Sequence, residues 1–127
     1  MRFRLELFVA DVDASVAFYE RALGFRLVRR DPGYASLRRG DAELGLGAAE
    51  KLPAGGDGPG FTQERVAGAR GAGVEIVLEV EDLGDTLEAV RAAGHAVVEP
   101  IRARPWGLED FRLTDPDGYY IRVTTAS

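Results

Sequence analysis

The sequence predicts an α+β fold built from two copies of one βαβββ unit, and three observations carry that prediction. An alternating strand, an amphipathic helix closed by glycine and three further strands occur twice along the 127 residues. The joints of the two copies correspond: Val9-Ala10-Asp11-Val12 matches Val80-Glu81-Asp82-Leu83, and Leu23-Gly24-Phe25 matches Ala93-Gly94-His95. Finally, the C-terminal stretch Asp115-Pro116-Asp117-Gly118 sits between two strand-like runs. Proline presets φ for a turn there, and glycine supplies the positive φ that closes it.

In chain order, residues 2–9 alternate, with Phe3, Leu5, Leu7 and Val9 on one face and Arg2, Arg4, Glu6 and Phe8 on the other. Asp11 or Asp13 caps the helix that follows. Val12, Val16, Tyr19 and Leu23 make its apolar stripe, and Gly24 ends it. Phe18 and Tyr19 are expected in the core. Residues 25–30 read as a strand and Asp31-Pro32-Gly33 as a turn. Residues 34–39 and 42–47 form a hairpin about Gly40-Asp41. In the second copy residues 74–81 alternate, Asp82 caps a helix with stripe Leu83, Leu87 and Val90, and Gly94 stops it. Residues 95–101, 109–114 and 119–124 supply the last three strands. The chain is therefore expected to be one domain, 1–127, with a first module over about 1–47 and a second over about 74–127. The Gly/Pro/Ala-rich connector 48–73 holds at most a short helix broken by Gly68 and Gly71. It reads as a tether, with a pocket lid as the other reading.

Bulk properties narrow the function. The apolar fraction of 46% and charged fraction of 29% are those of an ordinary globular chain. A net charge of −5 argues against nucleic acid or an anionic membrane as partner. Without cysteine there is no disulfide, thiolate metal site or cysteine nucleophile. No apolar run approaches the ~20 residues of a membrane span. The charged, alternating N-terminus does not read as a signal peptide, so the expected location is the cytoplasm. The glycines at 55–60 lack the strand before and the Lys-Ser/Thr after that make a phosphate loop. The single histidine, His95, has no triad partner and reads as a surface or strand-edge residue.

Each helix needs the aliphatic face of its strands, which leaves the opposite face to curve around a cavity. Aligning the copies pairs Arg4 with Glu75 on the first strand of each unit, and Glu43 with Arg122 on the last. Four cavity-facing positions thus carry two arginines and two glutamates of crossed sign. Charges in such a cup are tolerated only when paired or hydrated, so with a pseudo-twofold bringing the two halves together Arg4 or Arg122 is expected to reach Glu43 or Glu75. Glu6, Phe8 and Tyr120 share the cavity phase, as does Glu79 near a strand end. Tyr34 and Tyr119 are further aromatic candidates. Trp106, the only tryptophan, lies on the loop before the last hairpin, where its ring is placed either to stack on a ligand or to pack against neighbouring protein.

Three stretches, FVADVDASVAFYERALGFRLV, RRGDAELGLG and DFRLTDPDGYYIRVT, together with VEIVLEVEDL, resemble the vicinal oxygen chelate superfamily of glyoxalases, bleomycin-resistance proteins and extradiol dioxygenases. The resemblance spans nearly all of the chain outside residues 48–73 and is specific to the superfamily, not to one activity. It implies paired βαβββ modules forming a curved mixed sheet around a cup, paired or swapped in a homodimer. It also implies metal-binding side chains on the first and last strand of each module in metal-dependent members. Carried onto this chain, those places are Arg4, Glu43, Glu75 and Arg122. Arginine stays protonated and does not ligate a divalent cation, and two carboxylates fall short of the usual three protein ligands of zinc or non-haem iron. Glu43 and Glu75 with Glu6 or Glu79 are the one acidic set left for a metal.

The expectation is therefore a small-molecule-binding protein of the bleomycin-resistance type, without metal or cofactor, sequestering a planar or cationic drug-like compound. Pro105-Trp106-Gly107 is similar to a segment of those proteins. The expected ligand contacts are Arg4, Glu6, Phe8, Glu43, Glu75, Trp106, Tyr120 and Arg122. The alternatives are a metal-dependent lyase, isomerase or dioxygenase of the same superfamily, and a dimer whose cup has lost its ligand.

Overall fold

Among its described residues, 1–126, the computed structural model has eight strands in two four-stranded sheets. The first sheet is built from β1 (Leu5–Val9), β2 (Arg26–Asp31), β3 (Tyr34–Arg39) and β4 (Ala42–Ala48), in the order β1-β4-β3-β2. The second has β5 (Ile76–Val80), β6 (Glu99–Ala103), β7 (Glu109–Thr114) and β8 (Tyr120–Thr125), in the order β5-β8-β7-β6. In each, the first strand runs parallel to the last and the other pairs are antiparallel. Helices α1 (Val12–Arg21) and α3 (Leu83–Ala92) follow the first strand of their copies. The α+β class and the duplicated order are as the sequence predicts. The chain divides into two compact units, Met1–Glu20 with Gly24–Ala69, and Arg21–Leu23 with Arg70 onward.

The helices start and stop for local reasons. Asp11 Oδ1 accepts from the Ala14 N–H at 3.1 Å, and Asp82 Oδ1 from Asp85 N–H at 2.9 Å, each satisfying a first-turn donor that has no partner inside the helix. Asp13 instead pairs with Arg30 at 3.0 Å. Gly24 and Gly94, with φ of 68° and 83°, end α1 and α3 in the left-handed region that only glycine enters freely. Val12, Val16, Phe18 and Tyr19 line the buried side of α1, and Leu83, Leu87 and Val90 that of α3, which lies against β8. The two-residue period does the rest. Phe111, Leu113, Ile121 and Val123 are fully buried on one face of β7 and β8, each contributing about 1.5–3 kcal/mol on burial.

Several expectations shift. β1 begins only at Leu5, where pairing with Leu44 starts, so Arg4 precedes it and Phe3 is 78% exposed instead of facing the core. β6 begins at Glu99 and not at residue 95, and His95 does not start a strand. The His95 N–H turns back to the Val90 carbonyl and completes the helix stop. Pairing begins only when Val98 N–H reaches Arg112 O, and the register slips between Glu99 and Arg102, around Pro100, which has no N–H to give. The connector carries a 3-10 turn (Ala49–Lys51) and a short helix, α2 (Gln63–Val66). Gln63 Nε2 donates to the Glu50 and Leu52 carbonyls, and the Arg65 guanidinium gathers the carbonyls of Gly56, Gly58 and Gly60. These bonds tie residues 50–65 of the connector to one another.

Candidate functional site

In each sheet, the face opposite the aliphatic one carries the chemistry. On the first sheet the LGLG run of β4 leaves glycines where side chains would stand. A methyl group on Gly45 would overlap the Glu6 carboxylate and the Tyr34 hydroxyl, and one on Gly47 would touch the Phe8 ring. The glycines let the neighbouring strands lean across β4. Tyr34 Oη donates to both oxygens of Glu6, at 2.9 and 3.1 Å. Arg4 Nε pairs with Glu6 at 2.7 Å, and the Arg29 guanidinium lies 5.6 Å from the Tyr34 ring centre. Burial, followed by the bond to Glu6 and its charge, raises the Tyr34 pKa above its ordinary value. Phe61, from the connector, packs on Phe8 with ring centres 4.6 Å apart while remaining 59% exposed.

Glu43, cross-strand from Arg38, bonds both Arg38 and Arg2 beside a recess of about 390 Å3 that Phe3 and Asp41 also border. Burial pushes its pKa up, but the two guanidiniums outweigh that and leave it low. Arg4 and Glu43, the counterparts of Glu75 and Arg122, therefore do not pair with each other.

In the second unit the counterparts do meet. Arg122 Nε donates to Glu75 Oε1 at 3.1 Å, and the Trp106 ring centre lies 5.9 Å from the same guanidinium, within the range of a cation–π contact. Tyr120 is half-buried on the same face. Burial, then its bond to Glu75, raises its pKa. Arg122 and Glu75 thus pair inside one unit, not across the two copies as the sequence reading expects.

Beneath this pair is a group that the sequence reading passed over. Asp110 on β7 is fully buried. Its Oδ1 accepts from Arg104 Nε at 2.9 Å and lies 3.5 Å from Arg112 Nε, and its Oδ2 lies 3.8 Å from Arg122 Nη1. Glu99 completes the cluster by accepting from Arg104 Nη2 at 2.7 Å. Three arginines thus face three carboxylates. Burial raises the Asp110 pKa, but Arg104 and Arg112 outweigh it and hold the carboxyl below its ordinary value. The bonds to Asp110 and Glu99 raise Arg104 in turn. The signal was available: alternation along β7 puts Asp110, Arg112 and Thr114 opposite buried Phe111 and Leu113, and Arg112 is cross-strand from Arg122. Phe61 had no such signal, because the connector has no period.

A metal does not fit these residues. Glu75 is engaged by Arg122, Glu43 by Arg2 and Arg38, and Glu6 by Arg4 and Tyr34. Among the described residues no three His, Asp or Glu side chains are gathered to hold an ion. No helix among them is long and apolar enough to cross a membrane.

Comparison with known proteins agrees with this architecture. The model of the Glyoxalase/Bleomycin resistance protein/Dioxygenase superfamily matches residues 3–123. A bleomycin resistance protein of Klebsiella pneumoniae is 28% identical over 120 residues, covering 89% of this chain and 82% of its own. The crystal structure of TioX from Micromonospora sp. ML1 superposes with a TM-score of 0.78 at 24% identity, over 98% of both chains. A bleomycin-binding protein in complex with bleomycin superposes with a TM-score of 0.71 at 25% identity, over 100% of this chain and 99% of that one.

Proposed function

The chain belongs to the Glyoxalase/Bleomycin resistance protein/Dioxygenase superfamily, and from that premise we propose that it binds and sequesters a planar or cationic small molecule without a metal. The observation that carries this reading is the ion pair of Arg122 with Glu75 under the Trp106 ring. A side-chain pair at 3.1 Å occupies places where the family resemblance implies metal ligands, and the ring above it offers a flat apolar surface for stacking. The likeness to bleomycin-resistance and bleomycin-binding proteins supports the same class of ligand.

In this reading Glu75, Trp106, Tyr120 and Arg122 form the binding face of the second sheet. On the first sheet Arg4, Glu6, Phe8 and Glu43, with Tyr34 and Phe61, form a ligand-binding face of their own. Glu6 and the aromatic rings around it suit a cationic group: the exposed Arg4–Glu6 pair is worth about 0.2–1 kcal/mol and is readily exchanged for a ligand cation. The protein acts as a homodimer, as the superfamily resemblance implies, and confers resistance by holding the compound away from its target.

The test is titration of metal-free bleomycin into protein dialysed against EDTA, followed by Trp106 emission. Saturable binding unchanged by the chelator is expected, and light scattering should give twice the chain mass. Binding that appears only when a divalent metal is restored to the protein would overturn the reading.

A further inference from the structure

Trp106 stands at the tip of a short loop between β6 and β7. The loop closes through Arg104 N–H to Leu108 O at 2.7 Å and Gly107 N–H to Arg104 O at 3.0 Å, with Gly107 at φ 89°. The indole is 57% exposed, so the packing of its own loop does not account for its place over Arg122. The base of the loop is held from below. The Arg104 side chain, 15% exposed, reaches Asp110 Oδ1 through Nε and Nη2 and Glu99 through Nη2. That planar two-point grip fixes direction as well as distance, which a lysine does not do. The other oxygen of Asp110 faces Arg122 Nη1, the guanidinium beneath the ring. One buried carboxylate therefore touches both the root of the loop that carries Trp106 and the cation on which Trp106 rests.

We propose that Asp110 is a positioning residue: through Arg104 and Arg122 it sets Trp106 over the Arg122 guanidinium and so fixes the aromatic wall of the ligand-binding face. The proposal rests on the reading of that face as ligand-binding only for its consequence on affinity. The positioning itself is tested without a ligand.

Because Trp106 is the only tryptophan, its fluorescence reports on this loop alone. The variants are Asp110→Asn, Arg104→Gln, Arg104→Lys and the control Val90→Ala, which opens a cavity at a fully buried position of α3. Each is measured well below its melting temperature, with folding checked by far-ultraviolet circular dichroism. Asp110→Asn and Arg104→Gln should lower the steady-state anisotropy of Trp106 and raise its quenching by acrylamide. Arg104→Lys, which keeps the charge and loses the planar grip, should fall between them and the parent. Val90→Ala should lower the melting temperature and leave both signals unchanged. Should Asp110→Asn fail to fold, the two Arg104 variants decide. Unchanged anisotropy and quenching in folded Arg104→Gln, or an equal change in Val90→Ala, would overturn the proposal.

Bleomycin affinity gives the second readout. Loss of an ordered cation–π platform should weaken binding about two- to fivefold. If the parent does not bind bleomycin while the Trp106 signals change as described, positioning stands and the functional reading fails. Changed signals with unchanged affinity would instead remove Trp106 from the binding face.

Discussion

The two units share one topology and one alternation, yet they furnish their chemical faces in opposite ways. The first clears space: Gly45 and Gly47 let Glu6, Tyr34 and Phe8 lie across β4, and its ion pair of Arg4 with Glu6 is exposed. The second fills space, placing a fully buried Asp110 among Arg104, Arg112 and Arg122. The duplicated positions follow suit. Glu75 and Arg122 meet at 3.1 Å, while Arg4 and Glu43 each take other partners. A repeated backbone thus fixes which positions face outward and leaves the use of them to the side chains. The Arg4–Glu6 pair of the first unit is open to water, whereas Asp110 of the second is enclosed.

That contrast sets the order of mutational effects. Asp110→Ala removes the buried carboxylate that three half-buried guanidiniums share and should cost about 3 kcal/mol, the low end for a broken buried pair because Glu99 and Glu75 remain as partners, read by urea unfolding. A loss below about 1 kcal/mol would place Asp110 with the exposed pairs and erase the difference between units. Gly45→Ala forces the Glu6 and Tyr34 side chains off β4 and should cost about 1–3 kcal/mol as overpacking. A neutral result would mean that the first face has room to spare and that its glycines are incidental. Arg4→Ala should change stability by less than about 1 kcal/mol, and by less still in high salt.

Acid separates the units in a different way. Asp110, Glu99 and Glu43 all have folded-state pKa values below their ordinary ones. For such groups the unfolded chain binds more protons, so their stabilisation is present above the ordinary carboxylate pKa and is lost as pH falls through the lowered one. Stability measured between neutral pH and pH 2 should therefore decline below the ordinary Glu value of 4.5 for Glu43 and Glu99, and below the ordinary Asp value of 3.8 for Asp110. Arg104→Gln should flatten that decline, because it removes the first partner of both Asp110 and Glu99. An acid limb of unchanged slope in the variant would show that the buried cluster is not what titrates.

Much of the fold was legible because period-two burial, aspartate caps and glycine stops are local signals, repeated at matching joints. Arg122 was legible for the same reason: its phase on β8 and its counterpart Glu43 put it on the chemical face. Asp110 and Arg112 carried the same phase signal on β7. Matching only the first and last strands of the copies does not reach them, because β7 is neither. Arg104 and Phe61 had no signal at all. A loop arginine finds its partner only once β6 and β7 are paired, and an aromatic in a Gly/Pro/Ala segment is placed by hydrogen bonds that Arg65 and Gln63 make to carbonyls of the chain. The late start of β6 was hidden because Gly94 only ends the helix, and pairing with Arg112 decides where the strand begins.

Metal content tests the central claim most directly, because the claim is that arginine–carboxylate pairs stand where metal-dependent relatives would hold an ion. The parent protein and Glu75→Gln are purified without chelator, exposed to zinc, nickel, manganese and iron(II), freed of excess by gel filtration and assayed by mass spectrometry. The expected result is well under one metal per chain in both, with bleomycin binding intact in the parent. One tightly held metal per chain in the parent, lost in Glu75→Gln, would contradict it.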